Sequence, residues 1–296
     1  MDVKQLRYFS AIAEEGQITR AAKKLHMAQP PLSQQLKLLE DELGVVLISR
    51  NGKNFELTDA GKVLYKRAEK LLLQLDETVT EVKEVGEGLK GELKIGSVKT
   101  CFSYIPERLR YFRENYPLVT FRIHEGDSFR LAQSVRNRDI ELAIVRLPLE
   151  LSDFASYPLP KDRFVAVMPK NWGGSATITM KELAQMPIML LHRISGVGLY
   201  ELVMEQFSKH GIEPNVVCKC ADAAMILSLV RAEVGATLLP KSTLFTFNSE
   251  GLNVVDIEDG LIESDSSIIW MKDHYLSKNA ARFIETFDHL SETINN

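Results

Sequence analysis

Four side chains at helical spacing, Gln29, Ser33, Gln34 and Lys37, are of the types that read or hold DNA. Glutamine presents a donor and an acceptor side by side, matching adenine N6 and N7 in the major groove. Serine serves a base or a phosphate, and lysine a guanine or a phosphate. The competing reading of the same residues is a solvated helix face. Thr19 and Arg20 open the preceding helical pattern, where backbone N–H groups and a cation can hold a phosphate. Arg50 and Lys53 flank an Asn-Gly turn and can reach the DNA backbone or minor groove. Against these stand a solvated Arg20 and an Arg50 paired with Glu40 or Glu42.

The elements that must position these residues are legible from periodicity. Val3, Leu6, Phe9, Ile12 and Ala13 recur at helical spacing and stop at Gly16. Ile18, Ala21, Ala22 and Leu25 form the inner face of a short second helix over about 18–25. After a tight turn a third helix opens near Pro30, which is tolerated in a first turn; it carries Leu32, Leu36, Leu39 and Leu43 on one stripe and ends at Gly44. Helix, tight turn, helix is the skeleton of a DNA-reading unit, with Gln29, Pro30, Ser33, Gln34 and Lys37 away from the leucines. The runs 45–48 and 55–57 around Asn51-Gly52 read as a β-wing. Thr58 is an N-cap candidate for a helix reaching about residue 85. Its apolar positions Leu64, Ala68, Leu71, Leu72, Leu75, Val79 and Val82 suit a dimerisation helix, and Gly86, Gly88 and Gly91 break it.

Composition bounds the function classes. At 296 residues with 45% hydrophobic and 26% charged residues, the chain is long enough for two or three globular domains. It lacks any 18-residue apolar run that would span a membrane, and its N-terminal residues lack a signal-peptide core, so a cytoplasmic location is expected. Residues 1–67 carry 11 Lys/Arg against 8 Asp/Glu, a net of +3, which leaves −7 on the remainder of a chain whose total is −4. A basic head on an acidic body fits a small module touching a polyanion.

Beyond residue 91 strands and helices alternate. Strands are expected at 93–98, 119–124, 142–145, 164–168, 188–191, 216–220, 236–239, 252–255 and 268–271, and helices at 104–115, 129–137, 198–210, 223–233 and 278–294. That alternation predicts an α/β body with a largely parallel sheet, and its length predicts two lobes around a cleft.

The run ITRAAKKLHMAQPPLSQQLKLLEDELGVVLISR followed by FELTDAGKVL resembles the LysR-type transcriptional regulators. Ala21, Ala22, Leu25, Gln29-Pro30, Ser33, Leu39-Glu40, Leu43-Gly44, Arg50, Leu57-Thr58 and Ala60-Gly61 carry the resemblance. GELKIGSV and VRAEVGATLLP extend it more loosely into the body. Ile48 stands where the family often has Phe, a conservative change. The resemblance implies an α/β protein with an N-terminal winged helix-turn-helix (1–58), a long linker and dimerisation helix with hinge (59–90), and a two-lobed, periplasmic-binding-protein-like effector domain (91–296). Lobe I would be 91–161 with 269–296, and lobe II 162–268. Implied partners are double-stranded promoter DNA, a small-molecule co-inducer and further copies of the chain, a homodimer assembling to a homotetramer; RNA polymerase is a further partner, and no membrane is involved. The family's cleft positions correspond to Ser97, Lys99, Thr100, Arg146, Ser195, Gly196 and Val197, with Ser128 at a helix start. Lys99 and Arg146 among hydroxyls suggest an anionic or aromatic carboxylate, the competing reading being ordinary loop and capping residues.

Peroxide-sensing members of that family use two cysteines, but Cys218 and Cys220 alternate on one strand, so their Cβ vectors run parallel and suit a disulfide poorly. Buried, inert thiols are expected, with pairing of either to Cys101 the alternative that the sequence leaves open. The six histidines show no ligand spacing with the cysteines, so neither a metal nor another cofactor is expected. No phosphate-cradling or nucleophile-elbow motif occurs, which argues against an enzyme. The rival classes are a transport-type binding protein, opposed by the N-terminal module, and a cytosolic α/β enzyme, opposed by the missing catalytic signature.

Overall fold

The computed structural model describes residues 1–51, 54–87, 89–172, 175–192 and 198–289, which divide into two units, Met1–Glu87 and Gly88–Asn296. In the first unit, α1 (Val3–Glu15) starts in a capping box, with the Gln5 N–H donating to the Asp2 carboxylate at 2.7 Å, and ends at Gly16 with φ 60°. Next come α2 (Ile18–Lys24) and α3 (Gln29–Leu43), whose C-cap Gly44 has φ 67°. Phe9, Ile12, Ile18, Ala21, Ala22, Leu32, Leu36 and Leu39 form the core of the three helices, and the alanines let the backbones approach. Leu43, expected on the buried stripe, is exposed, because the helix runs past the core it packs on.

The wing is β1 (Ile48–Asn51) against β2 (Asn54–Leu57), antiparallel with Asn51 opposite Asn54. The strand expected at 45–48 begins three residues late. Val45 and Val46 are exposed, and the Leu47 and Ile48 N–H groups donate to the Glu40 carboxylate at 2.7 and 3.2 Å. A side chain of α3 therefore takes the backbone donors that a longer strand would have used. Thr58 caps α4 (Asp59–Glu87), its hydroxyl accepting from Gly61 N–H at 3.0 Å and donating to the Val46 carbonyl at 2.7 Å.

The second unit holds two mixed sheets. In chain order the first lobe contains β3 (Gly91–Ser97), a 3-10 turn (Lys99–Tyr104), α5 (Pro106–Asn115), β4 (Val119–Glu125), α6 (Ser128–Arg136), β5 (Leu142–Arg146) and β6 (Phe154–Pro158). The second follows with β7 (Asp162–Pro169), β8 (Thr177–Ile178), α7 (Met180–Ala184), β9 (Ile188–Leu191), α8 (Leu199–Lys209), β10 (Val216–Cys220), α9 (Ala223–Arg231), β11 (Ala236–Pro240), α10 (Thr243–Thr246), β12 (Leu252–Ile257) and β13 (Glu263–Ser264). The chain then returns to the first lobe as β14 (Ser266–Met271) and α11 (Lys278–His289). The sheet orders are β4-β3-β5-β14-β6 and β10-β9-β11-β7-β12-β8, with β13 also on β7.

The expectation of a largely parallel sheet is corrected. β14 runs antiparallel to β5 and β6, and β7 antiparallel to β11 and β12. These are the strands entered directly from the two lobe crossings rather than through a crossover helix, so nothing forces them parallel. The return to the first sheet falls at residue 265, against the expected 269, and Leu147 and Leu159 donate to the Asp265 and Ser266 carbonyls at 3.0 and 2.9 Å there. The short β6, β8, β13, α7 and α10 carry too few residues to show a period. The last helix is described to His289; residues 290–294 of the expected helix lie outside the described residues.

Candidate functional site

The first candidate surface is the outer face of α3. Gln29, Pro30, Gln34 and Lys37 are exposed and Ser33 half-buried, and the five line one shallow depression with Leu36 and Glu40. They share a face because the fully buried Leu32 and Leu39, at i and i+7, point the other way, with Leu36 at the border between the two faces. Thr19 and Arg20 are exposed in the first turn of α2. Arg50 lies on β1, and Lys53 lies outside the described residues. Glu40, a possible rival partner for Arg50, is engaged with Leu47 and Ile48, and Glu42 pairs with the N-terminal ammonium.

α4 divides its apolar residues. Leu64 packs against the first unit's core and Ala68 is fully buried, whereas Leu71, Leu75, Val79 and Val82 are exposed in a row at four- and three-residue steps. Arg7 ties α1 to α4 through Asp76 at 2.7 Å. An exposed apolar stripe of this spacing is what a helix that pairs with another would present.

The second candidate site is a cavity of about 300 Å³ between the lobes of the second unit. Lobe I contributes Val98, Lys99, Thr100, Glu125, Gly126, Asp127, Arg130 and Arg146; lobe II contributes Leu191, His192, Leu199, Ala221, Asp222 and Ala223. The first turns of three helices meet there. Asp127 caps α6, accepting from Arg130 N–H at 2.9 Å, and Asp222 caps α9, accepting from the Ala224 and Met225 N–H groups at 2.8 and 3.1 Å. Leu199 begins α8. Lys99 forms an ion pair with Asp222 across the cleft. Each perturbs the other: the hydrogen bond from Lys99 holds the Asp222 carboxyl below its ordinary range, and the same bond raises the Lys99 ammonium.

Of the positions expected to meet a ligand, Lys99, Thr100 and Arg146 line this cavity. Ser97 and Ser128 do not: Ser97 is buried with its hydroxyl on the Val98 carbonyl, and Ser128 is buried against Arg146, donating to its carbonyl at 2.9 Å and accepting from its N–H at 3.1 Å. Ser195, Gly196 and Val197 lie outside the described residues. Arg146, expected with Lys99 to receive a carboxylate, has its guanidinium engaged inside the protein. It is 1% exposed and engaged by Thr100 Oγ1 at 3.2 Å, the Thr100 carbonyl at 3.0 Å, Asp162 Oδ2 at 2.6 Å, Ser242 Oγ at 3.3 Å and Ser264 Oγ. Thr100 belongs to lobe I and the other three side chains to lobe II, so Arg146 knots the lobes together. A charge this deep is costly without an internal counter-ion, and Asp162 supplies one.

Two models of known families match the chain: the bacterial regulatory helix-turn-helix protein, lysR family, over residues 3–62, and the LysR substrate binding domain over residues 86–291. The chain belongs to the LysR family of transcriptional regulators. This LysR regulator is 39% identical to the HTH-type transcriptional regulator BsdA of Bacillus subtilis (strain 168), over 97% of this chain and 100% of that protein. It is 30% identical to AlsR of the same organism, over 84% of this chain and 83% of the other. Among solved structures, full-length CbnR complexed with its target DNA matches at 25% identity and a TM-score of 0.64, covering 98% and 99% of the two chains. The winged helix-turn-helix followed by a two-lobed α/β domain is thus the family architecture, and the protein is a DNA-binding regulator rather than an enzyme.

Sequence reasoning missed Glu125, Asp127, Arg130, His192 and Asp222 on the cavity wall. Asp127 and Asp222 each immediately precede a helical run, so the N-cap rule could have placed them at helix starts. That both helices open on one cavity is a tertiary fact. The thiol reading needs correction too: Cys101 is buried, and burial pushes its thiol up, but Cys218 and Cys220 are only half-buried, because β10 is the edge strand of its sheet. Among the described residues no cluster of His, Cys, Asp and Glu is arranged to hold a metal ion, and no helix is long and apolar enough to cross a membrane.

Proposed function

We propose that this LysR regulator is a cytoplasmic, ligand-responsive switch that binds promoter DNA through α3 and the wing as a homodimer assembling to a homotetramer, its occupancy or activation governed by a small anionic co-inducer in the inter-lobe cleft. RNA polymerase is the further partner such a switch would engage. The observation that carries the ligand class is that Lys99 and Arg130 line a cavity onto which α6, α8 and α9 open, each cation now held by a wall carboxylate, Asp222 or Asp127, that an incoming carboxylate would displace. Helix N-termini and cations favour a carboxylate. Thr100 adds a hydroxyl, and Ser195, Gly196 and Val197 are retained as contacts of the same cleft. Arg146, with Ser128, serves as the lobe tie behind the site rather than as a ligand hook. In α3, Gln29, Ser33 and Gln34 read bases, while Thr19, Arg20, Pro30, Lys37, Arg50 and Lys53 set the register on the backbone. Closing the lobes on the ligand changes the DNA bend or half-site spacing. The exposed seam of Leu71, Leu75, Val79 and Val82 supports pairing of α4 with a second copy.

The test is fluorescence anisotropy with the gene's own upstream DNA and then with a genome-wide selection of fragments, across salt. Specific binding that weakens steeply with salt is expected. Gln34→Ala should cost about 1–3 kcal/mol on the cognate site and relax specificity at one base. Unchanged binding by Gln34→Ala would remove α3 as the reader, and absence of specific binding throughout would overturn the switch.

A further inference from the structure

His210 stands half-buried at the C-terminal end of α8, between that helix and the turn that follows β12. Its Nδ1 lies 2.9 Å from the Gln206 carbonyl oxygen, one turn back on α8, and its Nε2 lies 3.0 Å from the Asp259 carbonyl oxygen. Both neighbours can only accept. A neutral imidazole carries one N–H, so in either tautomer the other nitrogen would point a lone pair at a carbonyl oxygen. The imidazolium, with two N–H groups, satisfies both contacts. The place suits a cation for a second reason: the last carbonyls of a helix lack intrahelical donors and carry the negative end of its dipole. The bond to Gln206 chiefly, with that to Asp259 added, outweighs the cost of burial and raises His210 above its ordinary 6.5.

The facing turn is itself fixed. Asp259 Oδ1 accepts from Met180 N–H at 2.8 Å at the start of α7, and a Cβ on Gly260 would lie 2.8 Å from Met180 Cγ. The ring therefore joins the end of α8 to a turn pressed on α7. Most other charged side chains on these elements are engaged elsewhere. Glu205 and Lys209 pair on α8 at 2.8 Å, Glu182 accepts from Thr179 N–H at 2.8 Å, and Glu258 accepts from the Thr177 hydroxyl at 3.2 Å. Lys181 and Glu213 are exposed, and Asp259 is the charged group that acts on the ring.

We propose that His210 is an imidazolium at neutral pH and serves as a pH-sensitive clasp in lobe II, holding α8 to the 258–260 turn while protonated and releasing one of its two carbonyls when the proton leaves. Loss of one proton leaves one N–H and one lone pair on the ring, so one hydrogen bond is exchanged for a repulsion. Because the folded value lies above 6.5, the clasp's contribution is fully present below 6.5 and is lost as pH rises through the folded value. α8 begins at Leu199 on the wall of the inter-lobe cavity and ends at this clasp, so the proton fixes one end of a helix whose other end faces the cleft. The proposal does not depend on what the cleft binds.

The test is a pH titration of the full-length protein labelled with ¹³C at histidine Cε1, its six histidines followed by NMR and His210 assigned as the signal missing from His210→Gln. A midpoint above 6.5 is expected for His210. The melting temperature of wild type should exceed that of His210→Gln by a constant margin below 6.5, and the margin should close as pH rises through the NMR midpoint. Hydrogen exchange followed by mass spectrometry reads α8 itself. Over the same pH range the wild-type helix should exchange faster than base catalysis alone explains, with no such step in His210→Gln. Were the glutamine variant not to fold, His210→Asn gives the assignment and the comparison, and the wild-type midpoint still decides. A midpoint at or below 6.5, a melting difference that ignores the midpoint, or identical exchange profiles for wild type and variant would overturn the clasp.

Discussion

Replacing Asp162 by alanine removes the carboxylate on which the lobe-tying knot depends. Asp162 Oδ2 accepts from Arg146 Nη2 at 2.6 Å and from the Ser242 hydroxyl, while Oδ1 accepts from the Ser242 N–H at 3.1 Å. Truncation leaves three donors without that acceptor, one of them a guanidinium that is 1% exposed. An unsatisfied buried donor costs about 1–3 kcal/mol, and an orphaned buried charge about 3–5 kcal/mol. Because Thr100, Ser242 and Ser264 still accept from Arg146, the loss for Asp162→Ala should be about 3–4 kcal/mol rather than the sum. Arg146→Met, which strands the carboxylate instead, should cost a similar amount. The double variant Arg146→Met/Asp162→Ala removes both charges and should cost no more than either single, giving a coupling of about 3 kcal/mol. Urea unfolding followed by tryptophan emission suits the measurement, since both tryptophans, Trp172 and Trp270, lie in the effector unit. Additive losses, with a coupling under about 0.5 kcal/mol, would refute the claim that the pair acts as one buried unit.

Two further outcomes follow from particular contacts. A Cβ at Gly61 would lie 2.1 Å from the Leu47 carbonyl oxygen, so Gly61→Ala should push the start of α4 off the wing and cost the DNA-binding unit about 1–3 kcal/mol. Thermal unfolding followed by helical circular dichroism checks this, and an unchanged unfolding curve would show that the close approach is not maintained. Asp222→Asn keeps a side chain able to cap α9 but loses the pairing with Lys99. Because the Asp222 carboxyl is held below its ordinary 3.8, its contribution is present above that value and is lost as pH falls through the lower folded one. Lys99 is raised above 10.5, so its share persists up to that pH and is lost only as pH rises through the folded value. The difference in melting temperature between wild type and Asp222→Asn should therefore be flat from about pH 5 to 9 and close in acid. Closure near neutrality would mean that a different group titrates with the latch.

The DNA-binding unit was legible in the chain because everything that defines it is local. The stripe of Leu32, Leu36 and Leu39, the caps at Gly16 and Gly44, and the hydroxyl of Thr58 act within a few residues of themselves, so spacing alone reports them. Where a contact came from elsewhere, as with Glu40 taking the Leu47 N–H, the boundary moved. Most strands and helices of the body were legible by the same logic, and the short β6, β8, β13, α7 and α10 were not, being too brief for a period to emerge.

What each charged side chain does was decided only in three dimensions. Arg146 and Arg108 are indistinguishable as letters in the chain. One meets a carboxylate 16 residues away and three hydroxyls, two of them about 100 residues off, and so becomes a tie between lobes; the other meets a carbonyl and an aromatic ring and keeps its charge unanswered. Asp222 announces a helix start in its sequence but not that Lys99, 123 residues earlier, lies across a cleft from it. Short-range hydrogen bonding and hydrophobic period are properties of neighbouring residues, which a sequence displays. The burial and pairing of a charge depend on which distant segments the two lobe crossings bring together.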